Sequence, residues 1–312
     1  MAHRPGPNLA TIPLGRRGVL QLLAVGAALP LAGRRAHAAT AADATAPAFL
    51  SDGHLELTAG FVLPDATPEQ LMAALGTSDP GAPYKSACTV PLLRMDDRVI
   101  LFDAGSGPAF VPTAGTLIAA LEEAGVTPDM VTDIVFTHGH PDHLWGVTDD
   151  FDELAFPEAA YYMASTEHDF WMSDGAMSSM PPDRQNFAVG AQARLPRLAE
   201  RATFFADGAE VLPGIESFAT HGHSPGHTSF VLHLGDDPIM LTGDVFTNPA
   251  SVSHPDLTWG TDQDAEAGKE QRRRMIDRLA ADKMRAAVFH MPPPGLGRVE
   301  ARPDGAVWVP EG

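Results

Sequence analysis

The chain has 312 residues, of which 44% are hydrophobic and 20% charged, and this composition is typical of a globular protein with a large buried core. Its 21 basic and 40 acidic residues give a formal net charge of −19, which disfavours binding to nucleic acid because phosphate backbones carry the same sign. The single cysteine, Cys88, excludes an internal disulfide and any zinc site built from several cysteines.

Residues 1–38 have the features of an export signal. They contain five arginines and no acidic residue. The pair Arg16-Arg17 precedes an apolar stretch, and an Ala-x-Ala cleavage site follows at residues 36–38. This pattern resembles a bacterial twin-arginine signal peptide, which is removed during export. We therefore expect a periplasmic or secreted protein with no membrane anchor once mature, in which residues 39–47 form a linker and residues 48–312 form the folded domain.

Strands and helices interleave along the rest of the chain. Apolar runs and turn signals predict the strands, and capping residues with helical periodicity predict the helices. In chain order we expect two short strands within 49–62, a helix near 67–75, two strands within 85–102, a helix near 116–124, strands near 133–137 and 159–163, a helix near 184–200, strands near 202–206, 215–220, 228–234 and 238–242, a helix near 265–282, a strand at 286–290 and a final hairpin at 298–310. The arginines of the last helix, 272–274 and 278, are expected on a solvent-exposed face. This interleaving predicts an α/β fold with central sheets and outer helices.

A cluster of three histidines and one aspartate directly follows an apolar predicted strand. Residues 138–143 read HGHPDH. His138 and His140 are two residues apart, so their rings point to one side of an extended strand end, whereas Asp142 and His143 are adjacent and can face a second point nearby. Imidazole and carboxylate groups are ligands of zinc and similar divalent cations. The segment therefore predicts a metal site.

Three later segments carry further candidate ligands beside predicted strands. These candidates are His221, His223 and His227 in one segment, Asp244 in the next and His290 in the last. Each segment alone is weak evidence, because a single histidine beside a strand is more often structural. Residues 138–143 cannot complete two metal sites by themselves. Three ligand-bearing segments follow them along the chain, and this order supports all of the candidates together.

The order of the motifs resembles the metallo-β-lactamase superfamily and, within it, the branch of methyl parathion hydrolases and lactonases. The closer resemblance is carried by the stretches SDGHLEL, THGHPDH, GHSPGHTSF, LTGDVFTNP, RRRMIDRLAADK and FHMPPPGLG. The resemblance covers most of residues 48–310. It implies a four-layer αββα sandwich with the site at the edge between two β-sheets.

The resemblance also implies a role for each candidate residue. Two divalent cations, expected to be zinc, would be held by seven ligands: His138, His140 and His227 on one ion, Asp142, His143 and His290 on the other, and Asp244 on both. Three further side chains would support these ligands or contact the substrate without holding metal: Asp103, which would orient a ligand histidine, His223 and Thr247.

A site of this kind implies hydrolysis. Two cations that share Asp244 could also share a hydroxide, because coordination lowers the pKa of water to about 7. We expect this hydroxide, held beside Asp142 and Asp244, to attack the carbonyl carbon or phosphorus of a neutral ester, lactone or phosphotriester. The expected pocket walls are residues 55–62, 170–172 and 246–248, and their apolar side chains favour a small neutral or apolar substrate.

Other functions remain open. A β-lactamase is compatible with export. A quorum-signal lactonase is a second alternative, although some of these enzymes carry a tyrosine where this chain has Thr247. A protein of another class, an iron-binding redox enzyme or a non-catalytic metal binder, would keep similar ligands. Homodimers are common in the related branch, which leaves a homodimer as an alternative to a monomer.

Overall fold

The computed structural model describes residues 45–303 and 305–311. The predicted signal peptide, residues 1–38, lies outside the described residues, as do residues 39–44 of the predicted linker. Residues 45–47 have no regular structure, and the first strand begins at Ala48. Within the described part of the chain, no helix is both long enough and apolar enough to cross a bilayer.

The first half of the fold builds a six-stranded sheet. Its strands, in spatial order, are β1 (Ala48–Leu57), β2 (Tyr84–Met95), β3 (Arg98–Phe102), β4 (Asp133–Val135), β5 (Ala160–Ala164) and β6 (Ala202–Phe205). Neighbouring strands are antiparallel from β1 to β3 and parallel from β3 to β6. Because β3 and β4 are parallel, Asp103 and His138, which follow them in the chain, emerge at the same edge of the sheet.

Helices connect these strands, and several of them cover the outer face of the sheet. They are α1 (Ala59–Val62), α2 (Pro68–Leu75), α3 (Leu117–Glu123), α4 (Pro141–Leu144), α5 (Ser165–Met172), α6 (Ala176–Ser179) and α7 (Gln185–Leu198). Leu121 of α3 and Leu195 of α7 share one buried cluster with Val90 of β2 and Ile134 of β4. This cluster joins the first helical layer to the first sheet.

The second half of the fold builds a seven-stranded sheet. Its strands, in spatial order, are β7 (Glu210–Leu212), β8 (Ile215–Ala219), β9 (Thr228–Leu232), β10 (Ile239–Leu241), β11 (Arg285–Ala287), β12 (Leu296–Arg302) and β13 (Gly305–Pro310). The neighbours β10 and β11 are parallel, and the other neighbouring pairs are antiparallel. The residues that follow β10 and β11, among them Asp244 and His290, therefore reach one edge of this sheet.

Two helices, α8 (Pro249–Ser253) and α9 (Ala265–Asp282), cover the outer face of the second sheet. Met275 and Leu279 of α9 pack in a buried cluster with Met240 of β10 and Ala286 of β11. Met275 and Leu279 are one turn apart on α9, so they present a single apolar face to the sheet.

The inner faces of the two sheets pack against each other. Leu93 and Phe102 from the first sheet share a buried cluster with Phe230 and Leu241 from the second. The rings of Phe102 and Phe230 lie 5.8 Å apart between centroids. The layers therefore run helices, sheet, sheet, helices, and the predicted αββα sandwich is confirmed.

The expectation of two strands within residues 49–62 is wrong. A single strand, β1, continues through this region with a shift in register between Ser51 and Gly53, and α1 follows it. The reason lies in Asp52, whose carboxylate accepts hydrogen bonds from the backbone N–H groups of Ser106 and Leu117. These distant partners stabilise a β-bulge where the local sequence indicates a turn.

The expectation of a fully exposed arginine face on α9 is also wrong. Arg273 is exposed, but Arg272 is only 2% exposed and pairs with the buried Asp262 at 2.7 Å. Arg272 lies three residues before Met275 and seven before Leu279, so it belongs to the buried face of the helix. The buried Asp262 provides the countercharge that the sequence does not reveal.

Candidate metal centre

Three histidine rings converge at the edge between the two sheets. His138 and His140 follow β4, and His223 lies between β8 and β9. His138 Nε2 lies 2.9 Å from His140 Nδ1, which in turn lies 2.9 Å from His223 Nε2. Burial is the largest cause that lowers the pKa of His138 and His140 well below the usual value. Both rings are therefore neutral and can direct lone pairs at one point.

The opposite nitrogens of two of these rings have partners of their own. His138 Nδ1 lies 2.9 Å from the hydroxyl of Thr137, and His140 Nε2 lies 3.0 Å from the side-chain amide of Gln263. These contacts fix each ring and leave the facing nitrogens without a separate partner. The facing nitrogens lie within hydrogen-bond distance of one another, and once deprotonated they could bind one divalent cation together, so this donor set fits such an ion.

A second group of ligand atoms lies beside the first. Asp142 and His143 belong to α4, Asp244 follows β10, and His290 lies three residues beyond the end of β11. His290 Nε2 lies 3.2 Å from Asp142 Oδ2 and 3.1 Å from Asp244 Oδ2. His143 Nε2 lies 3.5 Å from Asp244 Oδ1, and neither atom has a hydrogen-bond partner among the described residues. Such unpaired buried atoms are expected where an ion binds.

The carboxylates determine the charge of this second group. Burial alone would lower the pKa of His143, but Asp244, Asp142 and Asp103 raise it to about 10. Burial would likewise raise the pKa of Asp142, but His143 and His290 bring it to about 2. The ionised carboxylates are therefore stabilised by positive charge next to them, and a divalent cation bound between these side chains would supply that charge.

Asp244 of the second group also contacts the first group. Its Oδ2 atom lies 3.2 Å from His223 Nε2 and 3.1 Å from His290 Nε2. Its backbone N–H donates to His227 Nε2 at 2.9 Å. One carboxylate thus contacts a ring from each group, which is the position of a bridging ligand.

The structure exchanges the predicted positions of His223 and His227. The Nδ1 atom of His227 lies 2.8 Å from the hydroxyl of Thr220, and its Nε2 atom accepts the N–H of Asp244. Both ring nitrogens are thus occupied, and burial lowers the pKa of His227 to about 3. His223, and not His227, therefore belongs to the group of side chains that could hold a metal, while His227 holds the backbone of Asp244. The sequence could not separate them, because both histidines flank the same turn at 224–226.

Asp103 holds His143 in place. It follows β3 with a φ of 71°, a left-handed conformation that directs its carboxylate towards the site. The carboxylate accepts hydrogen bonds from the backbone N–H and the hydroxyl of Thr137 at 2.8 Å each, and from His143 Nδ1 at 2.7 Å. The last bond fixes a proton on Nδ1 and leaves Nε2 to face Asp244. These are the contacts of an orienting residue, the role that the resemblance implies for Asp103.

A buried glutamate that the sequence analysis missed connects the two histidine loops. Glu167 of α5 accepts hydrogen bonds from the backbone N–H of Gly139 and from Trp171 Nε1, at 2.8 and 2.6 Å. Its other oxygen accepts from the Ser224 hydroxyl and the Gly226 N–H, at 2.7 and 2.8 Å. Both carboxylate oxygens are thereby satisfied. No motif in the sequence marks this residue, because its partners come from two distant loops.

Cys88 of β2 lies against the second group of ligand atoms. Ligand atoms of Cys88, Asp142 and His290 all lie within 4.8 Å of one another. Burial raises the pKa of the Cys88 thiol to about 12. Without a cation bound beside it, the group is therefore a neutral thiol at physiological pH.

An apolar pocket opens onto both groups. Its lining includes Thr247 and side chains of the metal centre, and its apolar walls are Leu55, Leu57, Phe61, Phe110 and Phe187. The predicted walls at residues 55–62 and 246–248 thus contribute. Residues 170–172, which were also predicted as a wall, do not line the pocket. Trp171 is fully buried and packs against Gly139.

Sequence comparison identifies related proteins. The family model described as the metallo-beta-lactamase superfamily matches residues 85–284. Metallo-beta-lactamase domain-containing protein 1 from Homo sapiens is 28% identical over 211 residues, which are 65% of this chain and 65% of that protein. A hydroxyacylglutathione hydrolase from Cereibacter sphaeroides is 31% identical over 162 residues, which are 50% of each protein. The chain thus spans less than two thirds of the length of these two relatives.

Structural comparison finds the same architecture in solved proteins. AidC, described as a dizinc quorum-quenching lactonase, matches with a TM-score of 0.79 and 26% identity, over 85% of this chain and 93% of that chain. AbOPH, described as a hydrolase in the beta lactamase superfamily, matches with a TM-score of 0.79 and 23% identity, over 88% of this chain and 96% of that chain. Because AbOPH is only 23% identical, its likeness shows that the two chains share a fold and nothing about activity.

Proposed function

The chain belongs to the metallo-β-lactamase superfamily, and we propose that it is a hydrolase of neutral esters or lactones that uses two divalent cations, with zinc as the expected metal. The observation that carries this proposal is the convergence of five histidines and two aspartates beside one apolar pocket. Imidazole and carboxylate ligands with an adjacent apolar pocket are the parts that metal-assisted hydrolysis requires.

Each cation has its own set of ligands in this proposal. One would be held by His138, His140 and His223, the other by Asp142, His143 and His290, and Asp244 would contact both. Bound there, the cations would lower the pKa of water to about 7, supply hydroxide at neutral pH and polarise the scissile carbonyl group.

The remaining work falls to side chains of the chain itself. Burial opposes ionisation of Asp142 and Asp244, but the neighbouring histidines lower the pKa of both carboxyl groups below the usual value. Ionised carboxylates can accept a hydrogen bond from the attacking water and so orient it. Asp103 fixes the His143 ring and His227 fixes the backbone of Asp244, which keeps the reacting groups aligned.

The pocket supports a neutral substrate with an apolar body. Its leucine and phenylalanine walls favour an acyl chain or an aryl group. The formal charge of −19 disfavours polyanionic substrates. The likeness to AidC, which is described as a lactonase, supports lactones within this class. Thr247, which lines the pocket, offers a short hydroxyl group near the site.

An activity panel tests the proposal. The protein is stripped with a chelator, reloaded with zinc, and assayed on aryl esters, dihydrocoumarin, an acyl-homoserine lactone, a paraoxon-type phosphotriester and nitrocefin. We expect turnover of aryl esters or lactones that is lost on chelation and restored by the metal. Absence of turnover on every substrate by fully loaded protein would contradict the proposal. Turnover of nitrocefin alone would identify a β-lactamase instead.

The substitution Asp244→Asn provides the matched variant for this panel. A neutral amide cannot balance two cations, so we expect a loss of one bound metal and at least a 100-fold drop in kcat. Full activity and unchanged metal content in this variant would show that Asp244 does not contact both ions. An iron absorption spectrum in the isolated protein, without hydrolysis of any substrate, would favour the redox class.

A further inference from the structure

We infer that Arg184 determines substrate specificity by donating hydrogen bonds to an oxygen acceptor, a carbonyl or a carboxylate, on the part of the substrate that lies away from the scissile bond. This inference rests on the proposed function, because it assigns the class of ester or lactone that the same pocket accepts. Neither the motifs of the sequence nor the predicted pocket walls include this residue.

Arg184 is fixed in the wall of the pocket that opens onto the metal centre. It immediately precedes α7, and its Nη1 atom donates to the carbonyl oxygen of Gly260 at 3.1 Å. Its guanidinium carbon lies 5.2 Å from the centre of the Phe61 ring. Stacking on an aromatic ring and a hydrogen bond to the backbone hold the guanidinium in one orientation.

One donor of this guanidinium has no protein partner. Arg184 Nε is buried and makes no hydrogen bond within residues 45–303 and 305–311, and no carboxylate of those residues forms an ion pair with Arg184. A buried N–H group without a partner costs free energy. A substrate oxygen in the pocket would satisfy this donor.

Two hydroxyl groups of the same pocket are also without partners. Thr261 Oγ1 and Ser86 Oγ are buried, belong to residues that line the pocket, and make no hydrogen bond to the described part of the chain. Thr261 directly follows Gly260, whose carbonyl holds Arg184. Arg184 and Thr261 thus form a polar patch in a wall that is otherwise apolar, which is the arrangement that orients a bound ligand.

The wall that carries this patch is closely packed. The backbone N–H of Gly260 donates to the carbonyl oxygen of Val62 at 3.0 Å, which joins the patch to α1. A Cβ atom at position 260 would lie 1.8 Å from the carbonyl oxygen of Phe61, so this approach requires glycine. The donors are therefore positioned before a substrate arrives.

Arg194 shows how an arginine with a purely structural role differs. It stacks over Trp145 at 4.6 Å, its Nε donates to the Trp145 carbonyl at 3.2 Å, and its Nη1 donates to the Gly190 carbonyl at 3.2 Å. Its Nε is thus satisfied, and it does not belong to the lining of the metal pocket. The unpaired donor and the position in the pocket distinguish Arg184 from this matched arginine.

Three phenyl esters with the same five-carbon acyl chain test the inference. Phenyl pentanoate ends in a methyl group, monophenyl glutarate ends in a carboxylate, and methyl phenyl glutarate ends in a neutral ester carbonyl. For the zinc-loaded protein we expect kcat/KM for at least one glutarate to exceed that for the pentanoate by about 10-fold or more, mainly through KM, because a charge-assisted hydrogen bond is made. A preference for the monophenyl ester alone would identify a carboxylate as the acceptor that Arg184 binds. A preference for both glutarates would show that a neutral carbonyl oxygen is sufficient.

Arg184→Met removes the donors and keeps an apolar side chain of similar length. We expect this variant to lose the preference for the glutarates, so that kcat/KM becomes about equal for the three esters. Arg194→Met, the control, should keep the preference. Arg184→Lys keeps the charge without the planar fork, so it should retain part of the preference for the carboxylate. A merely structural role of Arg184 would lower activity on all three esters equally, and that result would overturn the inference.

Binding of the matching anilides separates this inference from the proposed function. Glutaric acid monoanilide and pentananilide replace the ester oxygen by nitrogen, and calorimetry measures their affinity without turnover. We expect the monoanilide to bind about 10-fold more tightly to the original protein and the preference to vanish in Arg184→Met. Equal binding of both anilides, or equal turnover of all three esters, overturns the inference and leaves the proposed function intact. Selective binding without any hydrolysis would instead contradict the proposed function alone.

Discussion

At the residue scale, His223 and His227 belong to one loop but have different neighbours. His223 faces His140 and Asp244, whereas His227 is held by Thr220 and by the backbone N–H of Asp244. We expect His223→Ala to reduce the bound zinc from about two ions per chain to one. We expect His227→Ala to keep both ions and to lower the free energy of unfolding by about 1–3 kcal/mol, because it leaves the buried N–H of Asp244 unpaired.

Elemental analysis after dialysis, together with urea denaturation, checks both variants. Each serves as the control for the other, since the two histidines lie four residues apart and both are buried. Loss of an ion in His227→Ala, with full occupancy in His223→Ala, would restore the ligand position that the sequence analysis gave to His227.

Glu167 is the residue that joins the two histidine loops. In Glu167→Gln one carboxylate oxygen becomes an NH₂ group, which cannot accept the N–H and hydroxyl donors that now bond to it. We expect a loss of roughly 3 kcal/mol in the free energy of unfolding and weaker zinc binding, because both loops lose an anchor. Glu153→Gln, at an exposed position, is the control and should change neither quantity. Equal stability of the two variants would show that Glu167 does not hold the loops.

The local part of the site could be predicted from the sequence and the long-range part could not. Residues 138–143 carry their ligands within six positions, so spacing alone indicates a metal site. The division of roles between His223 and His227 depends on the backbone N–H of Asp244, which is distant in the chain. Glu167 and Arg184 gain their roles from partners in other loops, and no local pattern encodes such contacts.

At the element scale, α9 supports the candidate metal centre through a buried ion pair. Arg272 donates to Asp262 at 2.7 Å and also to the carbonyl oxygens of Pro255 and Leu257. Asp262 Oδ1 lies 3.6 Å from His223 Nδ1. The helix therefore fixes the segment 255–262, which carries part of the pocket wall.

Arg272→Met tests this support. The substitution leaves the buried carboxylate of Asp262 without a countercharge, so we expect the free energy of unfolding to fall by about 3–5 kcal/mol. Arg273→Met, one position away, breaks only an exposed ion pair with Asp256 and should cost at most about 1 kcal/mol. Urea denaturation of both variants measures the difference, and two equally small losses would contradict a buried supporting pair.

Helices and strands could be predicted from the sequence where the local pattern of apolar and capping residues was strong. The helix 265–282 is found as predicted, because Asp264 caps its first turn and apolar residues recur on one face. The turn expected near residues 51–53 is absent because Asp52 bonds to Ser106 and Leu117, which lie more than 50 positions away. The helix 165–172 was missed because its sequence, STEHDFWM, has no clear apolar periodicity.

At the scale of the whole molecule, we propose that the protein works outside the cytoplasm. The twin-arginine pair and the cleavage site predict a mature chain that begins at Ala39. Mass spectrometry of the protein from the periplasm or medium should give the mass of residues 39–312. Replacing both Arg16 and Arg17 by lysine keeps the charge and should stop export through this route. Export of the unprocessed chain, or normal export of the lysine variant, would contradict the predicted signal.

We propose that seven side chains from four segments hold two cations beside the apolar pocket. Anomalous diffraction at the zinc edge from crystals of the zinc-loaded protein tests this claim most directly. We predict two peaks about 3.5–4 Å apart, one bonded to His138, His140 and His223 and the other to Asp142, His143 and His290, with Asp244 in contact with both. A single peak, or peaks bonded to other side chains, would contradict the account.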